Sequence, residues 1–289
     1  MHATELHRAA ASLGEGALWD DRAARLLWVD ILRGEVHSFD PATGRDSCLR
    51  LGEPVGTVVP HADGGWVVAR KTDIIHLDPV TTRITRLADP QDIPSHSRWN
   101  DGKCDPSGRL WVGTLSALPG TPPVSALYRV DLDGKINALI PRVRISNGLA
   151  WSADATKMYY IDSLRRSVDV FDFQNGSGRI FNRRVLADTR PWPGVPDGMA
   201  IDAEGHLWVA FYGGHAVLRF DGITGKLSGR VEVPTACVTS CALGGPDFQT
   251  LFITTARGEE PDAAHGGHLF AGRVPVPGLP CHRAAIRLS

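Results

Sequence analysis

The sequence predicts an all-β chain folded as a six-bladed β-propeller, with four-stranded antiparallel blades around a central channel. Two features carry that prediction: a strand motif that recurs at blade spacing, and hairpin chemistry on either side of it. Six short apolar strands repeat along the chain: Leu27-Trp28-Val29-Asp30, Gly65-Trp66-Val67-Val68, Leu110-Trp111-Val112-Gly113, Met158-Tyr159-Tyr160-Ile161, Leu207-Trp208-Val209-Ala210 and Leu251-Phe252-Ile253-Thr254. Their aromatic residues stand at 28, 66, 111, 159, 208 and 252, in steps of 38, 45, 48, 49 and 44 residues. That is the length of one four-stranded blade.

The elements around each aromatic strand follow the same logic. Segments of alternating character come next, such as Glu35-Val36-His37-Ser38-Phe39-Asp40 and Val217-Leu218-Arg219-Phe220-Asp221. Period-two alternation ending on a turn residue marks a half-buried strand. Asp105-Pro106-Ser107-Gly108 and Asp202-Ala203-Glu204-Gly205 precede aromatic strands and join each to an earlier one as a hairpin. No stretch carries a helical period. Six blades closing on themselves leave no large exposed sheet edge, so residues 1–289 are expected to form a single propeller domain. Residues 3–10 and 283–288 are both candidates for the strand that closes the ring.

Composition narrows the function. A net charge of −1 over 289 residues gives no electrostatic basis for binding nucleic acid or an anionic membrane. No apolar run approaches the roughly 20 residues of a membrane helix, and the N-terminal residues lack the apolar core of a signal peptide. The five cysteines are scattered and form no C-x-x-C pair. That pattern favours a reducing, cytoplasmic setting over a disulfide framework or a thiolate zinc site. Cys237 and Cys241 read as small buried hydrophobes. The chain has no G-x-S-x-G elbow and no H-E-x-x-H helix. His96 reads as an ordinary loop histidine, and Trp19, Trp28, Trp111, Trp151 and Trp208 as core between blades.

One position of the repeat is unexpectedly polar. The strand before each hairpin is the innermost of its blade and lines the channel. It opens with Glu15 in blade one, Asn100 in blade three, Asn147 in blade four and Asp197 in blade five. Each is followed five residues later by the Asp or Ser that opens the hairpin: Asp20, Asp105, Ser152 and Asp202. Equivalent positions in a ring face one axis, so these four are expected to converge at one mouth of the channel. Two carboxylates brought together there repel, and burial makes their charged forms costlier. A divalent cation relieves both costs, and an all-oxygen set of carboxylates and amides suits Ca²⁺, Mg²⁺, Mn²⁺ or Fe²⁺. Taken singly, Asn-Gly and Asp-Gly are ordinary turn dipeptides; four in phase are not explained that way. A glycine follows Glu15, Asn147 and Asp197 directly and is expected to let the backbone approach a bound group. Blades two and six carry Thr57, Thr239 and Ser240 there instead.

These motifs resemble a known family. Leu13-Gly14-Glu15-Gly16, Asn100-Asp101-Gly102-Lys103, Ser146-Asn147-Gly148-Leu149-Ala150-Trp151-Ser152, Pro196-Asp197-Gly198-Met199 and Gly244-Gly245-Pro246-Asp247 are similar to those of the gluconolactonase family, which includes regucalcin (senescence marker protein). The resemblance runs in order from about residue 12 to residue 257. It implies a six-bladed propeller holding one divalent ion, whether Ca, Mn, Mg, Fe(II) or Zn, with Glu15, Asn147 and Asp197 as metal ligands. It also implies that Arg98 and Asn100 contact the substrate. Relatives place a substrate-contacting Glu after the pair matching Gly113-Thr114, where this chain has Leu118 in the loop Ala117-Leu118-Pro119-Gly120-Thr121-Pro122-Pro123. The implied activity is hydrolysis of a sugar lactone, with Leu118 altering the sugar contacts. A carboxylate at the metal can take a proton from the attacking water, which makes Asp197 the expected catalytic base, and the enzyme is expected to be a monomer in the cytoplasm. Two other readings stand beside it. One is an esterase or phosphotriesterase on the same site, and the other a non-catalytic calcium-binding or interaction propeller.

Overall fold

The computed structural model describes residues 1–90, 93, 96–116, 124–258 and 264–288. It consists of six four-stranded antiparallel sheets; five pair their strands in chain order from the inside outwards, and the sixth takes its outermost strand from the N-terminal segment. The inner strands are Gly14–Asp20, Val55–Pro60, Ser97–Cys104, Ser146–Trp151, Val195–Ile201 and Val238–Gly244. They are almost wholly buried along their length, because each is flanked by the inner strands of both neighbouring blades. Outer strands such as Arg45–Arg50 and Arg179–Asp188 are largely exposed and charged. Among the described residues there is no α-helix; a 3-10 turn lies at Ser163–Arg165.

Each aromatic strand is the second of its blade and packs between sheets. Trp28, Trp111, Trp208 and Phe252 are at most 2% exposed. The hairpin aspartates have a packing role that their turn chemistry conceals. Asp105 Oδ2 accepts from Trp111 Nε1 at 2.9 Å and from Arg109 Nε at 2.6 Å. Asp202 Oδ2 accepts from Trp208 Nε1 at 2.9 Å and from Arg219 Nε at 2.8 Å. A buried indole N–H is thus capped by the residue six positions before it, which ties hairpin to core.

The two chain ends do different jobs. Thr4–His7 pairs with Leu269–Arg273 as the outermost strand of blade six, so the N-terminal segment closes the ring. The C-terminal segment instead crosses the channel end far from Glu15 and Asp197. It bonds to Ala203 and Phe248 on one side and to Ala62, Gly108 and Leu132 on the other. It roofs a small cavity lined by Ala17, Trp151, Ala242, Lys103, Pro280 and His282. All five cysteines are free; Cys241 is buried as expected, whereas Cys237 is only partly so.

Candidate active site

Every inner strand breaks register at the position of the repeated polar residue. The shifts fall at Glu15/Leu18, Val55/Thr57, Trp99/Gly102, Asn147/Leu149, Pro196/Met199 and Val238/Ser240. A bulge adds a residue on one strand and re-aims its side chains, and six in a ring turn polar groups into the channel. The glycines serve the ring here. A Cβ on Gly198 would lie 2.3 Å from Ser240 Oγ, and one on Gly148 would lie 2.8 Å from the Asp197 carbonyl oxygen. Their missing side chains admit the next blade; Gly16 differs in having a positive φ of 61°.

The polar groups meet across blades. Asn100 Nδ2 donates to Asn147 Oδ1 and to the Ser146 carbonyl, both at 2.8 Å. Asn147 Nδ2 donates to Ser163 Oγ at 2.8 Å. Arg98 Nη1 donates to Asn100 Oδ1 at 2.6 Å and to the Trp99 carbonyl at 3.0 Å. The chain Arg98–Asn100–Asn147–Ser163 therefore fixes both amides, with Asn147 Oδ1 as the acceptor end of its amide.

The carboxylates are strained electrostatically. Glu15 and Asp197 are 5% and 6% exposed. Burial, then the Asp101 charge, push the Glu15 carboxyl up to about 8, against the Gly16 N–H and Arg98. Burial, then Glu15 and Asp101, hold Asp197 well above the usual carboxylate range, against Arg98 and the Gly198 N–H. Asp197 Oδ1 has no hydrogen-bond partner although it is buried, and the same holds for Asp101 Oδ2 and Ser240 Oγ. Burial also lowers the Arg98 pKa, opposed by Glu15 and Asp197. Three buried carboxylates thus share the site with Arg98, while Lys103, whose charge acts on Asp101, donates from Nζ to the Met199 carbonyl.

Asp101 and Ser163 are the residues that the repeat phase does not single out. Asp101 directly follows Asn100, and strict strand alternation would point it away from the axis; the bulge turns it inwards beside Glu15 and Asp197. Ser163 lies after the second strand of blade four, outside the repeated column. His96 is exposed, and Leu118 with its loop lies outside the described residues. Glu15, Asp101 and Asp197 do not form a tight trio. Among the described residues, groups of three His, Cys, Asp or Glu donors within 4.8 Å occur at Glu5–His265–His268 and Glu35–His37–Cys48, away from the channel.

Comparison with known proteins agrees with the architecture. Residues 13–257 match the family model described as the SMP-30/Gluconolactonase/LRE-like region. Regucalcin of Danio rerio is 40% identical over 246 residues, covering 84% of this chain and 83% of that protein. A Bacillus subtilis protein named as a candidate sugar lactone lactonase, YvrE, is 35% identical over 273 residues, 93% of each chain. Among solved structures, a regucalcin of Agrobacterium tumefaciens, described as a calcium-binding protein, superposes with a TM-score of 0.91 at 28% identity. The match covers 100% of this chain and 98% of that one. With the fold, the ordered motifs and these relatives in agreement, the chain belongs to the SMP-30/gluconolactonase/LRE-like family.

Proposed function

We propose that this chain is a divalent-metal-dependent lactonase that opens a sugar lactone to its acid, with Glu15, Asn147 and Asp197 holding the ion. The observation that supports it most is the unpaired, buried Asp197 Oδ1 beside a second buried carboxylate. A buried charged oxygen without a partner costs several kcal/mol, roughly, unless a cation or proton meets it. The donor set is all oxygen, two carboxylates and an amide fixed by Ser163 and Asn100, which fits a hard divalent ion. A calcium-binding relative of the same fold and family supports the same class of ion. When bound, such an ion supplies Lewis-acid polarisation of the lactone carbonyl and acidifies water.

The chain's own residues would do the rest. Asp197 accepts a proton from the attacking water as its oxygen bonds to the carbonyl carbon. The ring C–O bond then breaks, and the proton returns to the ring oxygen, giving the hydroxy acid. Arg98 and Asn100, locked to each other, orient the polyol and donate to its oxygens. Leu118 is the proposed specificity position: where relatives carry a Glu, sugar hydroxyls must find other partners. The test is acid release from a panel of aldonolactones, with and without chelator and added Ca²⁺, Mn²⁺, Mg²⁺ or Zn²⁺. Metal-dependent hydrolysis of at least one lactone is expected. Hydrolysis of esters or phosphotriesters alone, or calcium binding with no turnover, would overturn the reading.

A further inference from the structure

A second donor cluster lies on the outer half of blade one. Strands Glu35–Asp40 and Arg45–Arg50 pair with His37 opposite Cys48, and alternation puts Glu35, His37, Asp46 and Cys48 on one face. His37 is buried and stacks on Trp28, with ring centroids 3.8 Å apart. Its Nδ1 lies 2.7 Å from Asp46 Oδ2. An ionised carboxylate only accepts, so in the neutral imidazole Nδ1 carries the proton and Nε2 the lone pair. That buried Nε2 has no hydrogen-bond partner, yet Glu35 Oε2 stands 3.4 Å away. The Cys48 thiol lies close by: one ring nitrogen of His37, one carboxylate oxygen of Glu35 and the Cys48 sulfur all lie within 4.8 Å of one another.

Two lone-pair atoms facing each other at this distance repel unless a proton or a cation stands between them. A proton would make His37 an imidazolium between Asp46 and Glu35, but it would give Cys48 no part. We propose that Glu35, His37 and Cys48 form a site for a borderline transition-metal ion of the Zn²⁺ class, with Asp46 orienting the imidazole and solvent completing the shell. Zinc at about 2.0–2.1 Å from nitrogen and oxygen sets tetrahedral ligands roughly 3.3–3.4 Å apart, the Nε2–Oε2 separation here. Cys48 is exposed, so an ion can enter and the side chain can turn to meet it. Arg50 Nε takes the other Glu35 oxygen, Oε1, at 2.8 Å and leaves Oε2 facing the site. A carboxylate behind a ligating histidine is the usual second partner in such centres. Partial burial, then Glu35 and Asp46, push the Cys48 thiol up to about 11 without an ion. The site differs in kind from the channel, since it offers nitrogen, oxygen and sulfur rather than oxygen alone.

Cobalt(II) is the probe, because a thiolate–cobalt bond gives a near-ultraviolet charge-transfer band. The channel set and the Glu5–His265–His268 group contain no thiol, so neither produces it. Titration of the full chain with Co²⁺, in excess Ca²⁺ to occupy the channel, is expected to raise this band to a saturating plateau. Zn²⁺ should abolish it, Ca²⁺ should leave it unchanged, and Cys48→Ser should eliminate it. A protein that shows no such band in excess Co²⁺, or a band that survives Cys48→Ser, would overturn the proposal. Because His37 is packed on Trp28 and its replacement can disturb folding, the exposed Cys48 carries the test.

Discussion

Glu15 shows what burial beside other carboxylates does to a single side chain. Burial, then the Asp101 charge, push its carboxyl up to about 8, against 4.5 for an ordinary glutamate. Between those values the folded state keeps a proton that the unfolded state has lost, so stability falls as pH rises across that window. Asp197, shifted in the same direction, adds to the fall. Thermal melts in chelator should therefore show Tm decreasing from about pH 4.5 to about pH 8, and Glu15→Gln should flatten the slope. A wild-type profile flat over that range would contradict the electrostatic picture. Asp197→Asn should lower kcat for lactone hydrolysis by about 10²- to 10⁴-fold while the chain stays folded, as read by circular dichroism. Asp101 was illegible in the sequence because phase arguments follow one column of the repeat. The bulge adds its neighbour to the channel, and a bulge leaves no local sequence signal beyond a nearby glycine.

At the scale of the element, the hairpin aspartates were visible in the sequence but only as turns. Asp202 binds Trp208 Nε1 and Arg219, whose side chain is 12% exposed. Removing that carboxylate strands a largely buried guanidinium and an indole N–H. Asp202→Ala should cost about 3–5 kcal/mol in denaturant unfolding, with affinity of the folded protein for metal unchanged; a loss below 1 kcal/mol, roughly the worth of an exposed ion pair, would contradict the role. Gly198→Ala tests the bulge. Its Cβ would meet the Ser240 side chain and Cα at 2.3–2.8 Å, so blades five and six must part. Overpacking of this kind costs about 1–3 kcal/mol, and the shift should reduce both Tm and turnover. The strands themselves were legible because their alternation and aromatic spacing are local. The register shifts depend on how neighbouring blades meet, which no single strand encodes.

The whole molecule divides its tasks between a ring held by apolar packing and an oxygen-lined mouth. Blade count and blade length follow from the repeat, but the roles of the two chain ends do not, because either end has residues able to add a strand. Thr4–His7 closes blade six, so deletion of residues 1–8 should expose the edge of Leu269–Arg273 and abolish cooperative unfolding. Removing metal should leave the ring folded, since the core of each sheet lies away from the channel mouth. The decisive measurement is a titration of chelated protein with Ca²⁺ or Mn²⁺, following acid release from its best aldonolactone. Activity should be absent without metal, rise to a plateau at one equivalent of tightly bound ion, and fail to return in a Glu15→Gln, Asp197→Asn double variant. Full activity in chelator, or recovery by the double variant, would show that Glu15 and Asp197 do not hold a catalytic ion.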